Sequence, residues 1–304
     1  MFQLSRGRTK NIETILRSNE KHYKFSDADI QKLVWCVNKG LDPLRVIEYA
    51  DRINKGISEI NTNDNIELLR IKGPQKNVAL ALKNEETIMY GGQKIILNDI
   101  RNNGDLIDVY VNEDYKFLDV GKRTVVDVGA NIGDSAIYFA LKGAARVYAL
   151  EPFSYTYSIL ERNIRENGFE SRIIPINGGY GKDCLVAVNN EAATMGSILV
   201  AGENSNTNFI NGQKFLENSK TIRVYSLKNL IETFGIEKGA VLKMDCEGCE
   251  YNLLTESSQF IEHFSMIQLE FHRGHKNIGH KLKRAGFKIT YDIRGRYGYI
   301  FARM

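Results

Sequence analysis

Apolar and polar positions divide this chain into three zones. Over residues 1–64 the apolar positions recur at helical spacing. Ser26, before Asp27-Ala28-Asp29, is an N-cap signal for a helix reaching Asn38, with Gly40 beyond it. Pro43 opens a second helix, LRVIEYADRI, with Val46, Ile47, Ala50 and Ile53 on one face. Residues 65–119 change period. IELLRIK, NVALALK, QKIILNDI and LIDVYV are short apolar runs broken by Gly73-Pro74, Gly91-Gly92 and Asn102-Asn103-Gly104, which predicts strands. From 120 to 304 strand-like and helix-like segments alternate, the pattern of a parallel sheet with crossover helices.

In that third zone the predicted strands are 124–128, 146–150, 172–177, 240–244 and 266–271. The helices between them are 135–141, 155–167, 250–255 and 278–285, the last stopped by Gly286. Two final runs, 287–291 and 299–303, flank Arg294-Gly295-Arg296-Tyr297-Gly298 and predict a hairpin, so one strand at the sheet edge must run antiparallel. That ending is typical of methyltransferases rather than dehydrogenases. Residues 196–220, polar and rich in asparagine and glycine, interrupt the rhythm. They read equally as a lid or as a surface excursion.

The densest signal is TVVDVGANIGDSAIYFA, residues 124–140. A strand ends in Asp127-Val128-Gly129, turns through Asn131 and Gly133, and enters a helix. Glycines allow backbone approaches that a Cβ blocks, and the free N–H groups of the new helix face the turn. The next strand ends in Glu151, placed to accept hydrogen bonds from both hydroxyls of a ribose. The spacing G-A-N-I-G puts Asn131 where a dinucleotide fold needs its second glycine. Asp127 would repel a pyrophosphate and attract an aminoacyl group. These features point to S-adenosylmethionine over NAD.

DVGANIGDSAIYF, YALEPF, VLKMDCEGCEYNLL and IQLEFH, with the closing GFKI and YIFAR, resemble the FkbM family of S-adenosylmethionine-dependent methyltransferases. The resemblance spans residues 105–304 and implies a Rossmann-like methyltransferase sheet. It also implies transfer to hydroxyl oxygens, often on sugars or secondary metabolites. Carried over by residue, it assigns Asp127, Gly129, Asn131 and Gly133 to the cofactor turn and Glu151 to the ribose. Asp245, Glu247, Gly248 and Glu250 match its second signature, and Glu270 and His272 its fifth strand end. The expected organisation is a helical extension over 1–64, a β-rich segment over 65–119 and a cofactor-binding domain over 120–304.

Asp245 and Glu247 end one strand, and Glu270 and His272 the next. Ligands of open α/β sheets bind at such ends. Methyl transfer to a hydroxyl needs removal of a proton. His272 is one candidate base and Asp245 the other, with Glu270 beside them and Glu247 toward the substrate. The same groups suit Mg²⁺ or Mn²⁺; the expectation is no metal. Lys243 is expected to face away from Asp245. Asp183, after the third strand, is expected at the adenine, and Glu250 and Glu247 as caps of the helix that follows. Cys246-Glu247-Gly248-Cys249 is half a zinc site without a second pair, so both cysteines read as small buried residues.

Composition changes this picture little. The 41 basic and 37 acidic residues of 304 give a net charge of +4, interspersed, which does not argue for nucleic acid. No apolar run approaches the roughly 20 residues that span a bilayer, and no secretory h-region follows the N-terminus. Four scattered cysteines do not make a disulfide framework, so a cytoplasmic location is expected. The expected partner is a small-molecule acceptor such as a sugar, with no membrane. RNA or protein methylation through the N-terminal extension, and a non-enzymatic nucleoside-binding role, stand as alternatives. Oligomeric state is not legible.

Overall fold

The computed structural model describes residues 57–61, 68–71, 78–81, 87–99, 105, 107–111, 113–189, 199–200, 209–210, 213–214, 219–294 and 297–304. The helices expected within 26–53 lie outside these residues. Two compact units emerge, one of Met1–Ile96 with Tyr110–Glu113, the other of Leu97–Val109 with Asp114–Met304.

The first unit contains an antiparallel sheet in sequential order: β1 Ile57–Asn61, β2 Leu68–Ile71, β3 Val78–Ala81, β4 Thr87–Tyr90 and β5 Gln93–Ile96. β1 is a strand inside the segment expected to be helical. Ile88 and Ile95 face each other across β4 and β5, and both are buried. The run LIDVYV is not a strand but a single π-helical turn, Ile107–Val111. Asp105 explains it: its carboxylate accepts the Asp108 N–H at 3.1 Å and its carbonyl accepts that of Val109 at 3.1 Å, fixing a helical start.

The second unit is built on β6 Thr124–Val128, α1 Asp134–Leu141, β7 Arg146–Leu150, α2 Ser154–Glu166 and β8 Ile173–Ile176. β9 Gly178–Tyr180, β10 Cys184–Asn189, the two-residue strands β11 Leu199–Val200, β12 Phe209–Ile210 and β13 Gln213–Lys214, and β14 Ser219–Tyr225 follow. Then come α3 Leu227–Phe234, β15 Ala240–Met244, a 3-10 helix Cys249–Leu254, α4 Ser258–Ile261, β16 Phe264–Phe271, α5 Lys276–Arg284, β17 Lys288–Arg294 and β18 Tyr297–Arg303.

Seven of these strands form the central sheet in the order β17-β18-β16-β15-β6-β7-β8. β6, β7, β8, β15 and β16 are parallel, and β18 is antiparallel to β16 and β17. The antiparallel strand is therefore one position in from the edge. Burial explains the order: Gly298, Tyr299, Ile300 and Ala302 of β18 are buried, whereas residues 288–293 of β17 are exposed or half-buried and tolerate the edge. The described part of residues 196–220 forms the small β11-β12-β13 meander and the start of β14.

Register decides what each face of the sheet carries. Val126, Tyr148, Leu242, Ile267 and Ala302 stand in one row, all buried in the main core. Each fully buried aliphatic or aromatic side chain contributes about 1.5–3 kcal/mol. One residue further along, on the opposite face, the row reads Ala149, Asp127, Lys243 and Gln268. Its polar members are covered: Ser135 of α1 bonds Asp127, and the Asp114 carbonyl accepts from Gln268 Nε2 at 2.9 Å. A further two residues bring Glu151, Gly129, Asp245 and Glu270 onto that same face at the carboxyl ends of the strands.

Candidate active site

The turn after β6 is shaped by what presses on it. Gly129 has φ 78°, and a Cβ there would stand 1.9 Å from the Asp245 carbonyl oxygen. Gly133 has φ 92°, and its Cβ would meet Leu160 Cδ1 of α2 at 2.6 Å. Gly129 is required by packing against backbone as well as by conformation, and Gly133 by its left-handed conformation. Asn131 between them is also left-handed, with φ 49°.

The Glu151 carboxylate locks this turn to the next strand. Its Oε2 accepts the Asn131 N–H at 3.0 Å, and its Oε1 accepts the Phe153 N–H at 2.9 Å and the Thr156 hydroxyl at 2.8 Å. Burial pushes its pKa up to about 7, opposed by these three bonds. Oε2 accepts one of these three bonds, and a carboxylate has about four acceptor sites. Gly129, Asn131, Glu151, Gly178 and Gly179 line one wall of a cavity of about 320 Å³. A strand-tip carboxylate beside a wall of backbone fits a nucleoside.

Asp127 does not line that cavity. It is fully buried, 2.9 Å from Lys243 Nζ, and accepts the Ser135 hydroxyl at 2.7 Å. It lies beneath the turn, away from the cavity surface where the sequence expectation placed it. Lys243 does not face away from the site. Its Nζ also donates to the Gly129 carbonyl at 2.8 Å and lies 5.4 Å from the Tyr115 ring centre. Burial works against its charge, but Asp127 and Asp245 outweigh it and raise its pKa.

Asp183 is also placed differently from the expectation. Its carboxylate accepts the Ser226 N–H at 2.9 Å and the Ser226 hydroxyl at 2.7 Å, at the start of α3, and does not line the cavity.

The same cavity continues along the strand tips to Asp245, Glu247, Glu270 and His272. His272 Nε2 stands 3.8 Å from Asp245 Oδ1 and 3.5 Å from Glu247 Oε2, and its Nδ1 is 3.3 Å from Glu250 Oε1. Glu250 is fully buried and accepts the N–H groups of Gly248 at 2.8 Å and His272 at 3.3 Å. Burial alone would lower the His272 pKa; the Glu250 bond and the Asp245 and Glu247 charges outweigh it and push it up to about 9. Glu270 is pushed up to about 8, by burial first and then by Asp245. Asp245, Glu270 and His272 each offer one ligand atom, all within 4.8 Å of one another, and could hold a divalent cation.

Two features escaped the sequence reading. Tyr115, buried in the 3-10 turn Asp114–Phe117, donates its hydroxyl to Asp245 Oδ2 at 3.1 Å; no motif marks it. Cys246 and Cys249 are not two separate small residues but a disulfide, with Cα atoms 5.5 Å apart. Their spacing was visible, their pairing was not. No helix among the described residues is long and apolar enough to cross a membrane.

No curated protein matches the chain. Among solved structures, the methyltransferase FkbM of Methylobacillus flagellatus KT is 21% identical over 60% of this chain and 44% of its own, with TM-score 0.39. This chain thus spans less than half the length of that relative. A methyltransferase from Geobacter sulfurreducens is 14% identical over 60% and 72%, with TM-score 0.33. M. jannaschii TYW2, in complex with AdoMet, is 14% identical over 79% and 94%, with TM-score 0.40. The methyltransferase FkbM domain as a family matches residues 127–299, from the buried Asp127 of the turn to Tyr299 beside Glu270. That match runs over more than half of the chain and takes in both walls of the cavity, so the chain belongs to the FkbM methyltransferase domain family.

Proposed function

We propose that the chain is an S-adenosylmethionine-dependent methyltransferase that acts on a hydroxyl of a small polyhydroxy acceptor such as a sugar. The observation that carries this reading is one cavity with two unlike walls. One is a strand-tip carboxylate beside the glycine turn; the other is a set of acids around an imidazole. When bound, S-adenosylmethionine supplies an electrophilic methyl group on a sulfonium. Glu151 accepts hydrogen bonds from the ribose hydroxyls, and Gly129, Asn131 and Gly133 let backbone close around the nucleoside.

On the acceptor side the protonation states divide the labour. At neutral pH His272 carries its proton and has no lone pair to offer, because its pKa lies near 9. Asp245 is then the group that accepts the hydroxyl proton as the oxygen attacks. The Tyr115 hydroxyl holds Asp245 from one side and His272 flanks it on the other. Glu270, protonated at neutrality, donates to the acceptor, and Glu247 at the rim accepts from a second hydroxyl. The test is a methyl-transfer screen of the full chain with isotope-labelled S-adenosylmethionine and a panel of monosaccharides and other polyols. Label should appear on oxygen. Label on RNA or protein instead would establish the alternative acceptor.

A further inference from the structure

The cysteine pair lies within the acceptor wall. Cys246 follows Asp245 directly, and Cys249 precedes Glu250 directly. The disulfide thus closes a ring over Glu247 and Gly248, between the two carboxylates that flank His272. Inside the ring Glu247 has φ 56° and Gly248 φ 125°. For glutamate that backbone is unfavourable and persists only where its surroundings enforce it. The Gly248 N–H points back to Glu250 Oε2, and Cys246 Sγ lies 3.7 Å from the same oxygen. Both cysteines are half-buried and line the cavity, so a small dithiol can reach them.

We propose that Cys246 and Cys249 form a reversible thiol switch on the acceptor side of the site; the inference rests on the methyl-transfer reading above. In the disulfide state the ring holds Glu247 and Glu250 on His272. A dithiol reductant opens it by exchange. One of its thiolates attacks a ring sulfur to form a mixed disulfide, and its second thiol resolves that bond. Two electrons and two protons pass to the protein, leaving Cys246 and Cys249 as thiols and the reductant as a cyclic disulfide. The loop between Asp245 and Glu250 then relaxes, and the acceptor wall loses its arrangement. The cofactor side has fastenings of its own outside the ring: the Glu151 carboxylate accepts from Asn131, Phe153 and Thr156.

Two cofactor analogues read this without a known acceptor. S-adenosylhomocysteine lacks the methyl group; sinefungin carries an amine in its place and so senses the acids of the acceptor wall. The full chain, purified without reductant, is titrated with each by calorimetry before and after dithiothreitol, with thiols counted by alkylation and mass measurement. Reduction should weaken sinefungin by at least about fivefold, a modest coupling between sites, and leave S-adenosylhomocysteine unchanged. Cys249→Ser should bind like the reduced protein and not respond to dithiothreitol, whereas Cys184→Ser should respond fully. Cysteines 246 and 249 alkylating without prior reduction would overturn the proposal. So would an unchanged sinefungin affinity after verified reduction, or loss of both analogues together, which would make the ring a staple of the whole fold. If neither analogue binds in either state, the cofactor reading falls first and the switch with it.

Discussion

Lys243 Nζ stands 2.9 Å from Asp127 Oδ1, directly across two neighbouring parallel strands, and both side chains are closed off from water. The same Nζ holds the Gly129 carbonyl, so the ion pair is the underside of the cofactor turn. A buried pair tolerates loss of one partner poorly, because the other charge is left stranded. Lys243→Met should destabilise the fold by about 3–5 kcal/mol, read by urea unfolding. The double change Asp127→Leu with Lys243→Met should recover much of that loss. Equal loss in both would show that the charges do not act as a pair.

Under the proposed reading, Glu151 gives cofactor binding a pH dependence. Burial raises its pKa to about 7, so its native carboxyl keeps a proton that the unfolded chain would already have lost. The ionised form accepts from both ribose hydroxyls, so S-adenosylhomocysteine affinity should rise from about pH 6 to about pH 8 and then level off. Glu151→Ala should weaken binding by about 1–3 kcal/mol, and Glu151→Gln should flatten the pH profile. A wild-type affinity independent of pH would detach Glu151 from the ribose.

His272 has the opposite linkage. Its pKa is raised to about 9 by the Glu250 bond and the Asp245 and Glu247 charges, against burial. The stability it contributes is fully present below its ordinary value of about 6.5 and lost as pH rises through about 9. Thermal unfolding should therefore show a decline above pH 7 that His272→Gln reduces. A decline of the same size in His272→Gln would place its origin elsewhere.

Asp245 is the proton acceptor in the proposed chemistry. Asp245→Asn should lower methyl transfer by about 10²–10⁴-fold while S-adenosylhomocysteine affinity stays within about threefold. Chelation separates this from metal assistance. His272 is already ion-paired to Asp245 and Glu247, so EDTA should leave turnover intact. Turnover abolished by EDTA and restored by Mg²⁺ or Mn²⁺ would make Asp245, Glu270 and His272 ligands.

The central sheet was legible because strand and helix periods alternate cleanly from Thr124 onward and the glycine turn punctuates them. The rim acids were legible because two-residue alternation carries strand-tip residues to one face. What stayed hidden depends on register and on pairing across the chain. Asp127 looked available to a ligand because nothing in TVVDVG reveals that Lys243 sits opposite it. Asp183 looked like an adenine contact because its capping of Ser226, 43 residues on, is not encoded locally. LIDVYV alternates as a strand does, yet Asp105 starts a helical turn at its front. Cys246 and Cys249 carried a spacing shared by metal sites, disulfides and plain buried residues, and only the fold of the loop distinguishes them.

The most direct measurement is calorimetric titration of the full chain with S-adenosylmethionine and, separately, with NAD. S-adenosylmethionine should bind at one site per chain, more weakly in Glu151→Ala, and NAD should not bind. Binding of NAD without binding of S-adenosylmethionine would contradict the assignment of the cavity to methyl transfer.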